Sequence, residues 1–145
     1  MTGVQTCALP ISSIGPILAV PGIRDTLLRY HGKIAAISPI IGNAPVAGPA
    51  GILMAAQGLP CSIAGVAQAY EDFLDILICD TRDARAAEAL RKNGLRVQCT
   101  QTIMRTPDDK AALAREALSC VFTGPAREDE PAQRSTAFRR LDTQP

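Results

Sequence analysis

"DILICDTRDARAAEALRKNGLRVQCTQT", residues 75 to 102, is the stretch whose reading decides the fold. Its opening, DILICD over 75–80, is a short unbroken apolar run closed by an acid at each end, the pattern of a strand buried on both faces. Asp83 then stands where an N-cap is wanted, and ARAAEALRKNG carries Arg85, Glu88, Arg91 and Lys92 on a wet face with Ala87 and Leu90 toward a core. Asn93-Gly94 is a helix exit, and RVQCTQT after it alternates like a strand. Strand, helix and strand at this spacing read as one unit of a parallel sheet with covering helices.

The same grammar extends in both directions. Upstream, KIAAIS over 33–38 reads as a buried strand. It is preceded by a helical PGIRDTLLRYHG, with Ile23, Leu27 and Leu28 on one face and Gly32 closing the turn. PAGILMAAQGL sets Pro49 in a first helical turn and Gly58 at the exit, and SIAGVAQAYEDF is ambiguous between states. Downstream, TPDDK starts a helix: Thr106 caps, Pro107 fits the first turn, and Asp108 and Asp109 face the positive end of the helix dipole. Its expected apolar face is Leu113, Ala114, Ala117, Leu118 and Val121. The expected fold is α/β, a Rossmann-like parallel sheet with flanking helices.

The ends of the chain read differently. MTGVQTCALPI, residues 1–11, has no period and no charge. Read back into codons from a GTG start, it matches a common sequencing-library adapter at all eleven positions. The expectation is that this segment is an artefact that packs on nothing, and that the chain is truncated at its N-terminal side. Residues 12–122 form the α/β unit, and 123–145, rich in proline and mixed charge, are expected to be a disordered tail.

With 47% hydrophobic and 20% charged residues, the composition is that of a globular domain, and a formal net charge of +1 excludes a generic nucleic-acid or acidic-membrane surface. No apolar run approaches the roughly 20 residues needed to span a bilayer, so a cytoplasmic protein is expected. Setting Cys7 aside, Cys61, Cys79, Cys99 and Cys120 are about twenty residues apart, without a CxxC pair and with one histidine in the chain. That pattern suits reduced, mostly buried thiols better than a zinc site or a disulfide scaffold.

Ligands of open α/β sheets bind beyond the carboxyl ends of the strands. SPIIGNAPVAGPAG, 38–51, follows one such end without a single charge, and it is longer than the usual connection of about 2–6 residues. Gly42 and Gly48 allow close backbone approach, Asn43 offers an amide, and the helix start after it adds partial positive charge. A plain hydrophobic excursion, with Ile40, Ile41 and Val46 as core, explains the composition equally well. SSIGPIL upstream repeats the arrangement of serine, glycine and proline, so Ser13, Gly15 and Pro16 would join Ser38 and Pro39 in one pocket wall. Elsewhere the bland explanations prevail: capping for Asp83, solvent for Asp80, turns for Thr100 and Thr102, the helix dipole for Asp108 and Asp109, and exposure for His31. No nucleophile with a base is present in the pattern of a triad.

At these residues a resemblance enters. SIGPILAVPGIR (13–24), SPIIG (38–42), GPAGILM (48–54), VAQAYEDFLDILICD (66–80) and QTIMRTPDDKAALAREAL (101–118) resemble, in order and spacing, the C-terminal half of 2-phospho-L-lactate transferases, enzymes of coenzyme F420 synthesis. The resemblance implies a Rossmann-like fold and transfer of a 2-phospholactyl, or phosphoenolpyruvyl, group from a guanosine diphosphate-linked donor to the deazaflavin Fo. GMP would leave, with Mg2+ assisting. It also implies that Ser13, Gly15, Pro16, Ser38, Pro39, Gly42 and Asn43 shape the substrate pocket, that Asp80 matches a recurring aspartate, and that homo-oligomers are possible. Catalytic residues and metal ligands would belong to the N-terminal half, so this polypeptide alone would be inactive. Asn43 and Ala47 depart from the family, which often has glycine and lysine there, and loss of the lysine removes a cation from a phosphate site. A regulatory nucleotide-sugar-binding relative of the gluconeogenesis-factor type is the alternative, and Ser38-Pro39-Ile40 argues against it.

Overall fold

A computed structural model of the chain describes residues 14–123. The expected artefact at 1–11, Ser13, and all but the first residue of the expected tail lie outside that range. Two short helices, α1 (Ile14–Leu18) and α2 (Ile23–Arg29), lead into strand β1 (Ala35–Ile37). A small hairpin of β2 (Ile40–Ile41) and β3 (Ala44–Pro45) follows, then helices α3 (Ala50–Ala56) and α4 (Ile63–Ala69). Strand β4 (Ile76–Asp80), a single 3-10 turn (Thr81–Asp83), α5 (Ala84–Lys92), β5 (Arg96–Thr100) and α6 (Pro107–Phe122) complete the described chain.

The main sheet has the order β1-β4-β5 and is parallel throughout. β4 is its centre, and all five of its residues are buried, as its unbroken apolar run predicts. Its side chains alternate between two layers. Leu77 and Cys79 join the larger core with Met54, Val66, Tyr70, Ala87, Leu90 and Val97, whereas Ile76 and Ile78 pack under α6 against Leu113 and Cys120. Full burial of each of these aliphatic side chains is worth about 1.5–3 kcal/mol, so this strand is the principal hydrophobic investment of the sheet. Helices thus cover both faces, the Rossmann-like arrangement expected of the pattern.

Several sequence expectations are corrected. β1 is shorter and wetter than a buried strand: it pairs only with β4 among the described residues, and Ile37 is exposed. In α2, Leu28 faces solvent and the helix ends at Tyr30 rather than at Gly32; the left-handed glycine is Gly22, at the start, with φ 88°. On α6, the expected Ala114 and Leu118 are exposed, and Leu113, Ala117 and Cys120, one turn apart, make the face that packs on the sheet. The ambiguous SIAGVAQAYEDF contains α4, capped by Ser62, whose hydroxyl accepts from the Gly65 N–H. α4 is buried nearly all round, so it offers no amphipathic face to read.

Other expectations hold. Thr106 and Asp109 form a reciprocal capping box at the start of α6, and Gly58 and Gly94, at the exits of α3 and α5, have φ 71° and 89°. Arg24 of α2 reaches across 48 residues to make a bidentate pair with Asp72 at 2.7 Å for both bonds, and its guanidinium lies over the Phe73 ring. This clamp fixes α2 against the segment that feeds β4. Among the described residues no helix is long and apolar enough to cross a membrane.

Candidate functional site

Parallel strands deliver β1, β4 and β5 with their carboxyl ends on one side of the sheet, and the candidate residues gather there. Ser38 continues the β1 ladder by donating its N–H to the Ile78 carbonyl at 2.8 Å. Its side chain is buried and turns back on the chain: Oγ donates to the Ile40 carbonyl at 3.0 Å and accepts the Ile40 N–H at 3.1 Å. The hydroxyl therefore serves to steer the backbone out of β1 and into β2.

The uncharged segment is neither a long open loop nor a hydrophobic excursion. Ile40 plugs the core at 0% exposure, Val46 is exposed, and Ile41-Gly42-Asn43-Ala44 closes a tight two-residue hairpin between β2 and β3. Gly42 has φ 62°, the left-handed backbone that such a turn demands and that glycine adopts without strain. Gly-Asn between two apolar residues is a hairpin signal that was available in the sequence. Pro39 is half-buried beside Ser38, while Gly42 and Asn43 are exposed at the tip.

Two aspartates bind this corner together. Gly42 donates its N–H to Oδ1 of Asp83 at 2.9 Å, across 41 residues of sequence. Asp83 is buried and makes no capping bond to α5, and its Oδ2 has no hydrogen-bond partner among the described residues. Burial raises its pKa, the Gly42 bond opposes that rise, and the neighbouring Asp80 adds to it. Asp80 is more buried still, at 1% exposure. Its Oδ1 accepts the backbone N–H of Arg82 at 3.1 Å and the Nε of Arg82 at 2.8 Å, while Oδ2 accepts the N–H and Oγ1 of Thr102 at 3.3 and 3.2 Å. Burial pushes the Asp80 carboxyl up, but the bonds from Arg82 and Thr102 outweigh it and hold the pKa at about 2. The expectations of solvent for Asp80 and capping for Asp83 are overturned: Asp80 caps the 3-10 turn, Asp83 holds the hairpin, and Thr102 is a buried ligand of Asp80.

Not every candidate joins this corner. Gly15 and Pro16 lie inside α1, Gly15 buried and Pro16 exposed, so they occupy a helical turn and not a strand-end loop. Ser13 lies outside the described residues. The anion cradle expected of the glycines is also weakened: the Gly42 amide is engaged by a carboxylate, and α3, whose N-cap is Pro49, has only seven residues. A magnesium ion finds no ready seat here, because no group of three or more His, Cys, Asp or Glu among the described residues could hold a metal, and both oxygens of Asp80 are in use. The four described cysteines are free thiols, as expected.

Fold and corner together define an open parallel α/β sheet with its polar groups at the carboxyl strand ends, the class in which ligands are held at that edge. Within that class the chain is similar to proteins named 2-phospho-L-lactate transferase. It is 50% identical to that of Methanosarcina barkeri over 105 residues, 72% of this chain and 33% of the relative. The corresponding figures are 48% over 105 residues for Methanosarcina acetivorans and 42% over 109 residues for Methanocaldococcus jannaschii, again about a third of each relative. The chain therefore spans about one third of the length of the curated relatives it matches, and the resemblance to the 2-phospho-L-lactate transferase family is shown for that part. No model of a protein family matches the chain.

Proposed function

We propose that this chain is the strand-end wall of a transferase that moves a 2-phospholactyl, or phosphoenolpyruvyl, group from a guanosine diphosphate-linked donor to the hydroxyl of the deazaflavin Fo, releasing GMP. The observation that carries the reading is 50% identity over 105 residues to a relative with that transferase name, in a chain whose polar residues converge at the carboxyl end of a parallel sheet. In such a reaction an alcohol oxygen attacks the phosphorus that carries the three-carbon acid and the phosphoanhydride bond to GMP breaks; the catalyst must align the two and stabilise the charge on the phosphoryl oxygens.

Within this chain the hairpin tip at Gly42 and Asn43 and the strand end at Ser38 and Pro39 form part of the substrate wall. The catalytic groups and the ligands for Mg2+ are supplied by the two-thirds of the parent protein that this chain does not span.

The full-length parent is the protein to assay. Magnesium-dependent GMP release that requires Fo supports the reading, and retention of the guanosine donor with no turnover from either the 2-phospholactyl or the phosphoenolpyruvyl donor overturns it. The 145-residue chain alone is expected to give no GMP release in the same assay.

A further inference from the structure

Cys79 and Cys99 are partners in the parallel register of β4 and β5, directly across from each other. Their side chains emerge on the same face of the sheet, and the two sulfurs are 3.6 Å apart. Adjacent strands are separated by about 4.8 Å, inside the Cα separation of roughly 4.4–6.8 Å that a disulfide tolerates. Closing the gap needs side-chain rotation and little backbone movement.

The two thiols are not equivalent. Cys79 is fully buried, and burial together with its hydrogen bond to Cys99 pushes its pKa up to about 12. Cys99 is half-buried and receives a hydrogen bond at 3.4 Å from the Nη2 of Arg91. That guanidinium is held in place from two sides, by Nε and Nη2 donating to the Val97 carbonyl at 3.0 and 2.8 Å and by Nη1 donating to Glu88. Cys99 is thus the solvent-reachable sulfur of the pair and Cys79 the enclosed one, which makes Cys99 the member that an oxidant meets first.

We propose that Cys79 and Cys99 form a redox-sensitive dithiol, in which Cys99 reacts first with a hydroperoxide and Cys79 resolves the product as a disulfide between β4 and β5. In the first step the Cys99 sulfur attacks one peroxide oxygen, the O–O bond breaks, and the sulfur becomes a sulfenic acid while the thiol proton goes to the second oxygen, which leaves as water or an alcohol. In the second step the Cys79 sulfur displaces hydroxide from that sulfenic acid, its proton leaving with the hydroxide as water. Two thiols are oxidised by two electrons and one hydroperoxide is reduced. The new bond would staple the strands immediately before Asp80 and Thr100, beside the corner that carries the hairpin.

The test uses the reduced 145-residue chain, treated with one equivalent of hydrogen peroxide and then alkylated, digested and mapped by mass spectrometry. The expected product is a single linkage joining the peptides of Cys79 and Cys99, reversed by dithiothreitol, with Cys7, Cys61 and Cys120 still alkylated. In Cys79→Ser the Cys99 sulfenic acid should persist and be trapped by dimedone. Arg91→Ala should slow the linkage roughly tenfold while leaving its identity unchanged. The same treatment in concentrated urea should give scrambled pairs, which separates folded-state selectivity from sequence proximity. Comparable yields of other pairs in the folded chain, oxidation of Cys61 ahead of Cys99, or conversion of Cys99 to the sulfinic acid without linkage would each overturn the proposal.

Discussion

The N–H of Gly42 and the Oδ1 of Asp83 are 2.9 Å apart, although 41 residues of chain separate them. This bond joins the tip of the hairpin that follows β1 to the turn that follows β4. Asp80, three residues earlier, joins that turn to β5 through Thr102. Three strand ends are thereby tied by two carboxylates, one of them fully hydrogen-bonded and the other with one oxygen unpartnered among the described residues.

Asp83 should behave as a buried charge kept for position. Its folded pKa is raised, so it stabilises the fold relative to its ionised form below the ordinary carboxylate value, and that contribution is lost as pH rises through the folded pKa. Asp83→Asn retains an oxygen for the Gly42 N–H and discards the charge. It should be as stable as the parent or more stable at pH 7, with the difference vanishing in acid, as read by urea denaturation at several pH values. Asp83→Ala should instead release the hairpin, seen as roughly tenfold faster hydrogen exchange at the Gly42 amide.

Asp80 should show the opposite sign. Its folded pKa is held at about 2 against an ordinary 3.8, so its stabilisation is complete above that ordinary value and drains away as pH falls from there toward 2. Asp80→Ala should cost about 1.5–3 kcal/mol at pH 7, the range for hydrogen bonds to a charged group. Denaturant midpoints of the variant should be flatter between pH 4 and pH 2 than those of the parent.

Gly65 should admit no side chain. A Cβ there would sit 2.0 Å from the Pro60 carbonyl oxygen and 2.8 Å from Met54 Cε. The first of these contacts is with backbone, so α4 would have to shift, and overpacking of this kind costs about 1–3 kcal/mol or more. Gly65→Ala should lower the thermal midpoint accordingly, or leave the chain without a cooperative transition.

Gly42 presents the contrasting case. Nothing lies within 4 Å of a Cβ built there, yet φ is 62°. Gly42→Ala should therefore cost only the left-handed backbone penalty of about 1–2 kcal/mol, and Gly42→Asn should recover part of it. Comparing the two variants by thermal denaturation isolates backbone strain from crowding.

How far the sequence discloses all this depends on the range of the interactions. The capping box at Thr106 and Asp109, the Gly94 exit of α5 and the apolar run of β4 are local, and their residues announce them within a few positions. The resemblance to the transferases is legible for the same reason, since it rests on contiguous blocks. α4 is hidden because its burial leaves no periodic contrast. Asp80 and Asp83 mislead because a carboxylate after a strand looks the same whether it meets water, a helix end or a partner 22 or 41 residues away. The hairpin at Gly42-Asn43 has a local signal, Gly-Asn between apolar residues, but the prolines and glycines around it give the segment the look of an extended loop.

The register of the sheet also bears on the order in which the molecule assembles. Cys79 and Cys99, facing each other across β4 and β5, are 20 residues apart, whereas the Ile34 to Asp75 bond at the entry of β1 spans 41. Each doubling of a closed loop adds about 0.6 kcal/mol of entropy cost, so β4, α5 and β5 can zip up as a local nucleus before β1 is recruited. The strand that leads into the hairpin is then the last to dock and the first to let go.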